Sequence, residues 1–228
     1  MDDRFIGDII YERLVNTYSI DLEDFVAPRL RHTNLFEFTV AVILSQNTSD
    51  VNAWRAYSRL LEVAGEITPS KILNTSIDQI AEAIKPSGMQ YQRARKIKEL
   101  AGAFIERDIV GEVEKTLREK GVEEARRKLL ELPGIGPKTA DVVLLMWFNA
   151  PSFPVDTHIT RITLRLGYVA RRNYEEIRRF WMENTNPQLY LPLHLLLITH
   201  GRKTCKARKP DCINCVIRNH CSYGASSK

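Results

Sequence analysis

No stretch of the 228 residues is apolar for long enough to span a bilayer. The longest uninterrupted apolar run is Val142–Phe148, seven residues, and Leu189–Ile198 is broken by Pro192 and His194, whereas a spanning helix needs about 20. A secretory leader is not expected either, because the chain begins MDDRFIGD, with acids where a leader carries a basic head. Nowhere do apolar and polar residues alternate as in a half-buried strand, and there is no repeat or low-complexity linker. Cysteine is missing from the first 204 positions. These absences exclude a membrane protein, a β-sandwich or barrel, a repeat array and a disulfide-stapled secreted domain. They leave an intracellular protein that keeps away from membranes.

What is present reads as helix. With 44% hydrophobic and 27% charged residues the chain lies outside the composition of disorder. Apolar residues recur with a helical period, as at Ile6, Ile9, Ile10 and Leu14, or Ile77, Ile80, Ala81 and Ile84. Ser76 precedes the second of these as an N-cap, and Pro69 opens a short helix. The fold class is therefore all-α, with about ten helices. Phe36–Leu44 and Val142–Phe148 are apolar on every side and should be central, buried helices. Glu112–Leu130 is rich in Glu, Lys and Arg, and predicts an exposed helical hairpin broken at Gly121, with no chemistry of its own.

The net charge of +5 is localised. Between Gly201 and Cys221 lie six bases (Arg202, Lys203, Lys206, Arg208, Lys209, Arg218) and one acid, Asp211, so the rest of the chain is neutral. Such a patch suits a polyanion. The same segment holds all four cysteines, Cys205, Cys212, Cys215 and Cys221, spaced C-x6-C-x2-C-x5-C. In a reducing compartment they call for a shared metal partner rather than disulfides. One short step flanked by two wide ones leaves zinc and an iron–sulfur cluster both open; with four ligands either site is saturated and structural. The loop KARKPD between Cys205 and Cys212 would then be pinned at the surface.

Residues 132–140, LPGIGPKTA, read as a tight turn between two helices. Gly134 and Gly136 permit positive φ and close backbone approach, and Pro137 fits the first turn of the following helix. Amides at that helix start, with the positive dipole end behind them, make a phosphate site that reads no base sequence. Lys138 stands in the same first turn, where a helix's positive end works against an ammonium ion; an uncharged lysine is a nucleophile that forms a Schiff base with a sugar C1′. Further on, in PVDTHITRI, Asp156 precedes a helix and predicts an N-cap bonded to the amides of His158 or Ile159; a carboxylate so fixed can also assist a nucleophile or stabilise a cationic sugar. His158 and His200 read as structural.

LPGIGPKTA, then VDTH, then HGRKTC with the four-cysteine ending, resemble in that order the endonuclease III family, and the likeness extends from ILSQNTSDVN at 43–52 to the last cysteine. The resemblance implies a helix-hairpin-helix glycosylase fold of two helical lobes with a DNA-binding cleft between them: residues 28–150 as a six-helix barrel, and 1–27 with 151–228 as the cluster lobe. It implies a [4Fe-4S] cluster on Cys205, Cys212, Cys215 and Cys221. It implies a bifunctional DNA glycosylase and abasic-site lyase acting as a monomer on duplex DNA with oxidised or ring-saturated pyrimidines or abasic sites. Lys138 matches the nucleophile and Asp156 the assisting carboxylate. Gly134, Ile135 and Gly136 match the phosphate-holding hairpin, and Lys206, Arg208 and Lys209 belong to the basic loop. Met89, in SGMQYQRA, resembles an apolar wedge. The family usually has glutamine where this chain has Asn47, so either Gln46 or Asn47 fills the hole left by an extruded nucleotide. Mismatch-specific relatives typically carry tyrosine or serine at the position of Lys138, and a DNA-binding module without catalysis would not need Lys138 and Asp156 together.

Overall fold

A computed structural model describes residues 5–226. Among these the chain is helical and no strand forms. In chain order the helices are α1 (Ile6–Val15), α2 (Val26–Arg29), α3 (Leu35–Leu44), α4 (Asp50–Ala64), α5 (Pro69–Asn74), α6 (Ile77–Ile84), α7 (Gln90–Glu106), α8 (Ile109–Lys120), α9 (Val122–Leu130), α10 (Pro137–Met146), α11 (Thr157–Leu166), α12 (Tyr174–Glu183), α13 (Tyr190–Lys203) and α14 (Ser222–Ser226). None is long and apolar enough to cross a membrane. The chain divides into two compact units, Asp21–Ala150 and Met1–Ile20 with Pro151–Lys228.

The Asp21–Ala150 unit is built around α3. Phe36, Phe38, Ile43 and Leu44 on this helix are fully buried, and α4, α7 and α10 pack against it. Its start is fixed by Asn34, whose Oδ1 accepts from the Glu37 amide at 2.9 Å. Serine caps recur: Ser49 opens α4, and Ser76 with Gln79 forms a reciprocal capping box on α6. The apolar run at 142–148 forms helix only to Met146, because the chain turns there: the Ala150 amide closes back on the Leu144 carbonyl at 2.8 Å.

The charged segment at 112–130 departs from the expectation of a purely exposed hairpin. It does break at Gly121 into α8 and α9, but Val113, Ala125 and Leu129 are buried in the core. Arg126 on α9 is also buried, its Nε 2.8 Å from Oδ1 of Asp141 on α10, which is wholly enclosed. The segment thus anchors α10, the helix that carries Lys138.

In the other unit α1 and α11 pack on α13, and α14 on α11. Trp181 on α12 stacks on Phe153 with ring centres 5.7 Å apart and donates from Nε1 to Thr163 Oγ1 at 2.8 Å, which ties α12 to α11. Gly201 on α13 lies so close to α11 that a Cβ there would fall 2.7 Å from the His158 ring, which explains the glycine in HGRKTC.

Candidate functional site

The hairpin occupies 131–136 between α9 and α10. Gly134 has φ +79, and only there does the turn need a left-handed residue; Gly136 is extended at φ −98, ψ −179 and not at positive φ. A Cβ on Gly134 would stand 3.2 Å from Ile43 Cδ1, so the turn is pressed onto the core. The Ile135 side chain is buried in that core, and its amide donates to the Leu132 carbonyl at 3.2 Å. Gly136 is the N-cap of α10, no side chain caps the helix, and nothing lies within 4 Å of where a Gly136 Cβ would be. The first amides of a helix have no partner within it. With the dipole end behind them they have the chemistry to take an anion. Lys138, half-buried in the same turn, makes no hydrogen bond or ion pair among the described residues.

Two further segments of the same unit bear on this turn. Gln46, just past α3, donates from Nε2 to the Gly134 carbonyl at 3.2 Å and to Thr139 Oγ1 at 3.0 Å. Its amide is thus committed to holding the hairpin. Asn47 beside it is exposed and left-handed at φ +53. Met89, which precedes α7, is 56% exposed and also left-handed, at φ +52. An unbranched but bulky residue in that region is uncommon and costs on the order of 1 kcal/mol or more.

In the Met1–Ile20 and Pro151–Lys228 unit, Asp156 caps α11: its Oδ1 accepts from the Ile159 amide at 2.7 Å, not from that of His158. Burial lowers the His158 pKa from its ordinary value, only partly offset by the Asp156 charge. Past α13, Lys206, Arg208 and Lys209 are exposed, and Lys209 has φ +51. The backbone of this basic loop is tied to α11. Arg165 Nη1 donates to the Lys206 carbonyl at 2.8 Å and Nη2 to that of Ala207 at 3.2 Å, while Arg161 Nε donates to the Cys205 carbonyl at 3.0 Å.

All four cysteines line one pocket, partly open to solvent, together with Arg165, His200, Ile217 and Tyr223. Donors surround the sulfurs: Arg165 Nη1 lies 3.2 Å from Cys205 Sγ, and the Gly224 amide donates to Cys221 Sγ at 3.3 Å. Burial, and then the neighbouring cysteines, push the Cys215 thiol up to about 11. A set of thiolates here therefore needs compensating positive charge, which a metal centre provides. Four thiols that line one pocket, with donors directed at their sulfurs, have the chemistry of a shared metal group. His200 was not singled out by sequence for this site, yet its Nε2 is 3.7 Å from Cys215 Sγ and its Nδ1 2.9 Å from the Tyr18 hydroxyl. Its place in HGRKTC, five residues before Cys205, is the one signal that could have marked it.

A family model described as HhH-GPD superfamily base excision DNA repair protein matches residues 40–187. Endonuclease III of Sulfolobus acidocaldarius is 40% identical over 221 residues, covering 96% of either chain. Endonuclease III of Escherichia coli K12 is 34% identical over 194 residues, covering 85% of this chain and 86% of its own. Among solved structures, a trapped endonuclease III–DNA covalent intermediate superposes with a TM-score of 0.76 at 27% identity, over 96% of this chain and 93% of the other. A thermostable thymine-DNA glycosylase gives 0.75 at 23% identity over 97% of each, which shows the shared fold alone.

Proposed function

The chain belongs to the HhH-GPD superfamily of base excision DNA repair proteins, and from that membership we propose that it is a bifunctional DNA glycosylase and abasic-site lyase of the endonuclease III type. It is an enzyme, and its partner is duplex DNA. The observation that carries the reading is Lys138, in the first turn of α10 directly after an uncapped hairpin, where an amine and a phosphate-binding helix start coincide.

The uncapped amides of α10 hold a backbone phosphate and so bring a deoxyribose to the lysine. The Lys138 amine attacks C1′ as the bond from C1′ to the base breaks with its electron pair going to the base, which leaves protonated. The amine sheds a proton, and opening of the sugar at O4′ gives an imine. Loss of a C2′ proton then expels the 3′ phosphate, and water hydrolyses the imine to restore the lysine. Asp156 supplies the carboxylate that helps deprotonate the amine or stabilises the cationic sugar. Asn47 rather than Gln46 fills the hole left by the extruded nucleotide, since the Gln46 amide already bonds the hairpin; Met89 is the wedge. Cys205, Cys212, Cys215 and Cys221 would hold a [4Fe-4S] cluster, which would cross-link the segment that carries Lys206, Arg208 and Lys209 and so fix these side chains for contact with phosphates.

The substrate is tested by a panel of duplexes carrying thymine glycol, 5-hydroxycytosine, uracil, 8-oxoguanine or a G·T pair, scored separately for base release and strand cleavage. Oxidised pyrimidines should yield both products in equal amounts. Release from G·T without cleavage would mark a mismatch glycosylase, and binding without release a non-catalytic module.

A further inference from the structure

Arg93 is a buried cation in the Asp21–Ala150 unit that no role so far explains. It lies on α7, one turn beyond Met89, with its amide bonded to the Met89 carbonyl at 3.0 Å, and only 5% of the residue is exposed. No carboxylate pairs with it among the described residues. Its guanidinium instead donates from Nη1 to the Ile43 carbonyl and from Nη2 to the Gln46 carbonyl, while its Nε is buried without a partner. Burial works against its charge and lowers its pKa.

Burying a cation without a counter-charge is expensive. Part of that cost is offset because the Ile43 carbonyl lies at the C-terminal end of α3, where the dipole is negative. What the two carbonyls bracket is the turn that ends in Asn47. Gln46 then extends the same junction through its own side chain to Gly134 and Thr139. Three segments thus meet at one guanidinium and one amide: the start of α7 with Met89, the turn with Asn47, and the hairpin beside Lys138. Two of those segments hold an exposed residue in left-handed backbone, Asn47 and Met89, a conformation asparagine takes readily and methionine holds only where the surroundings enforce it.

We propose that Arg93 is a positioning residue for nucleotide extrusion: by holding the Ile43 and Gln46 carbonyls it sets the turn so that Asn47 projects into the hole, in fixed register with the hairpin. The inference rests on the glycosylase reading above. It assigns Arg93 no contact with DNA.

The test is a double-mutant cycle on the full-length protein with Arg93→Lys, Asn47→Ala and the pair. Lysine keeps the charge and one donor but cannot span two carbonyls. The readouts are melting temperature, affinity for undamaged duplex, single-turnover base release, and the fluorescence of 2-aminopurine placed opposite the lesion, which reports whether the hole is filled. Arg93→Lys should remain folded and bind undamaged duplex as the wild type does. Its base release should fall by about tenfold or more, as when a working group is held out of place, with raised 2-aminopurine fluorescence. In the Asn47→Ala background the same change should add little, because the two residues act as one. Multiplicative losses, or wild-type release and fluorescence from a folded Arg93→Lys, would overturn the proposal. Should Arg93→Lys fail to fold, Arg93→Gln, which keeps a planar amide donor, replaces it in the same cycle with the same criteria. An inert wild type would refute the glycosylase reading itself, which this cycle reports separately.

Discussion

On the proposed reading of the start of α10 as a phosphate site, stability and DNA binding pull in opposite directions at Gly136. Its backbone is already in the extended conformation of an N-cap, and open space surrounds the position of its missing Cβ. Aspartate there would cap the free amides of α10 and suit its dipole, so Gly136→Asp should stabilise the protein by ~0.5–1 kcal/mol. The same carboxylate would occupy and repel the phosphate position, so affinity for duplex should drop severalfold. Thermal melting and fluorescence anisotropy check both halves; tighter or unchanged DNA binding would show that the helix start holds no phosphate. Gly134 behaves differently because its φ of +79 is required. Gly134→Ala should cost ~1–2 kcal/mol in chemical denaturation, from strain and from crowding against Ile43. From sequence alone the two glycines look equivalent, since a G-x-G pattern carries no dihedral angles. Which of them turns the chain and which opens it to a ligand depends on packing against residues some 90 positions away in the chain.

At the scale of elements, α9 and α10 are joined by the Arg126–Asp141 pair. Taking away one member strands a buried charge short of its partner, so Arg126→Met should lose ~3–5 kcal/mol. The double replacement Arg126→Met with Asp141→Leu should recover most of that loss, and equal losses in single and double variants would show that the pair is not what holds α10 in place. Charged residues on a helix usually face solvent, so local spacing predicts an exposed region; that one arginine of the series meets an aspartate 15 residues later inside the core depends on packing that spacing does not carry. Caps were far more legible. Ser76, Asp156 and Pro69 act within three or four residues of themselves, so local spacing carries the whole signal. The cysteine motif is legible for a similar reason, and so is His200 beside it, while the other supports, Arg161 and Arg165 on α11 and Tyr18 past α1, come from segments distant in sequence. Anaerobically purified protein should contain about four iron atoms and four sulfides per chain, as the four-cysteine set implies. Stoichiometric zinc in their place would refute the cluster.

On the proposed reading, the uncapped start of α10 and the localised basic loop hold DNA backbone, and Lys138 makes the chain a lyase. The most direct test is reductive trapping. Borohydride added during turnover on a duplex with an abasic site or an oxidised pyrimidine reduces an imine to a stable amine and leaves protein covalently attached to DNA. The wild type should cross-link in proportion to strand cleavage, with the modified peptide mapping to Lys138. Lys138→Gln should still bind the duplex but neither cross-link nor cleave. A Lys138→Gln protein that cross-links and nicks at the wild-type rate would contradict the account, because another amine would then be the nucleophile.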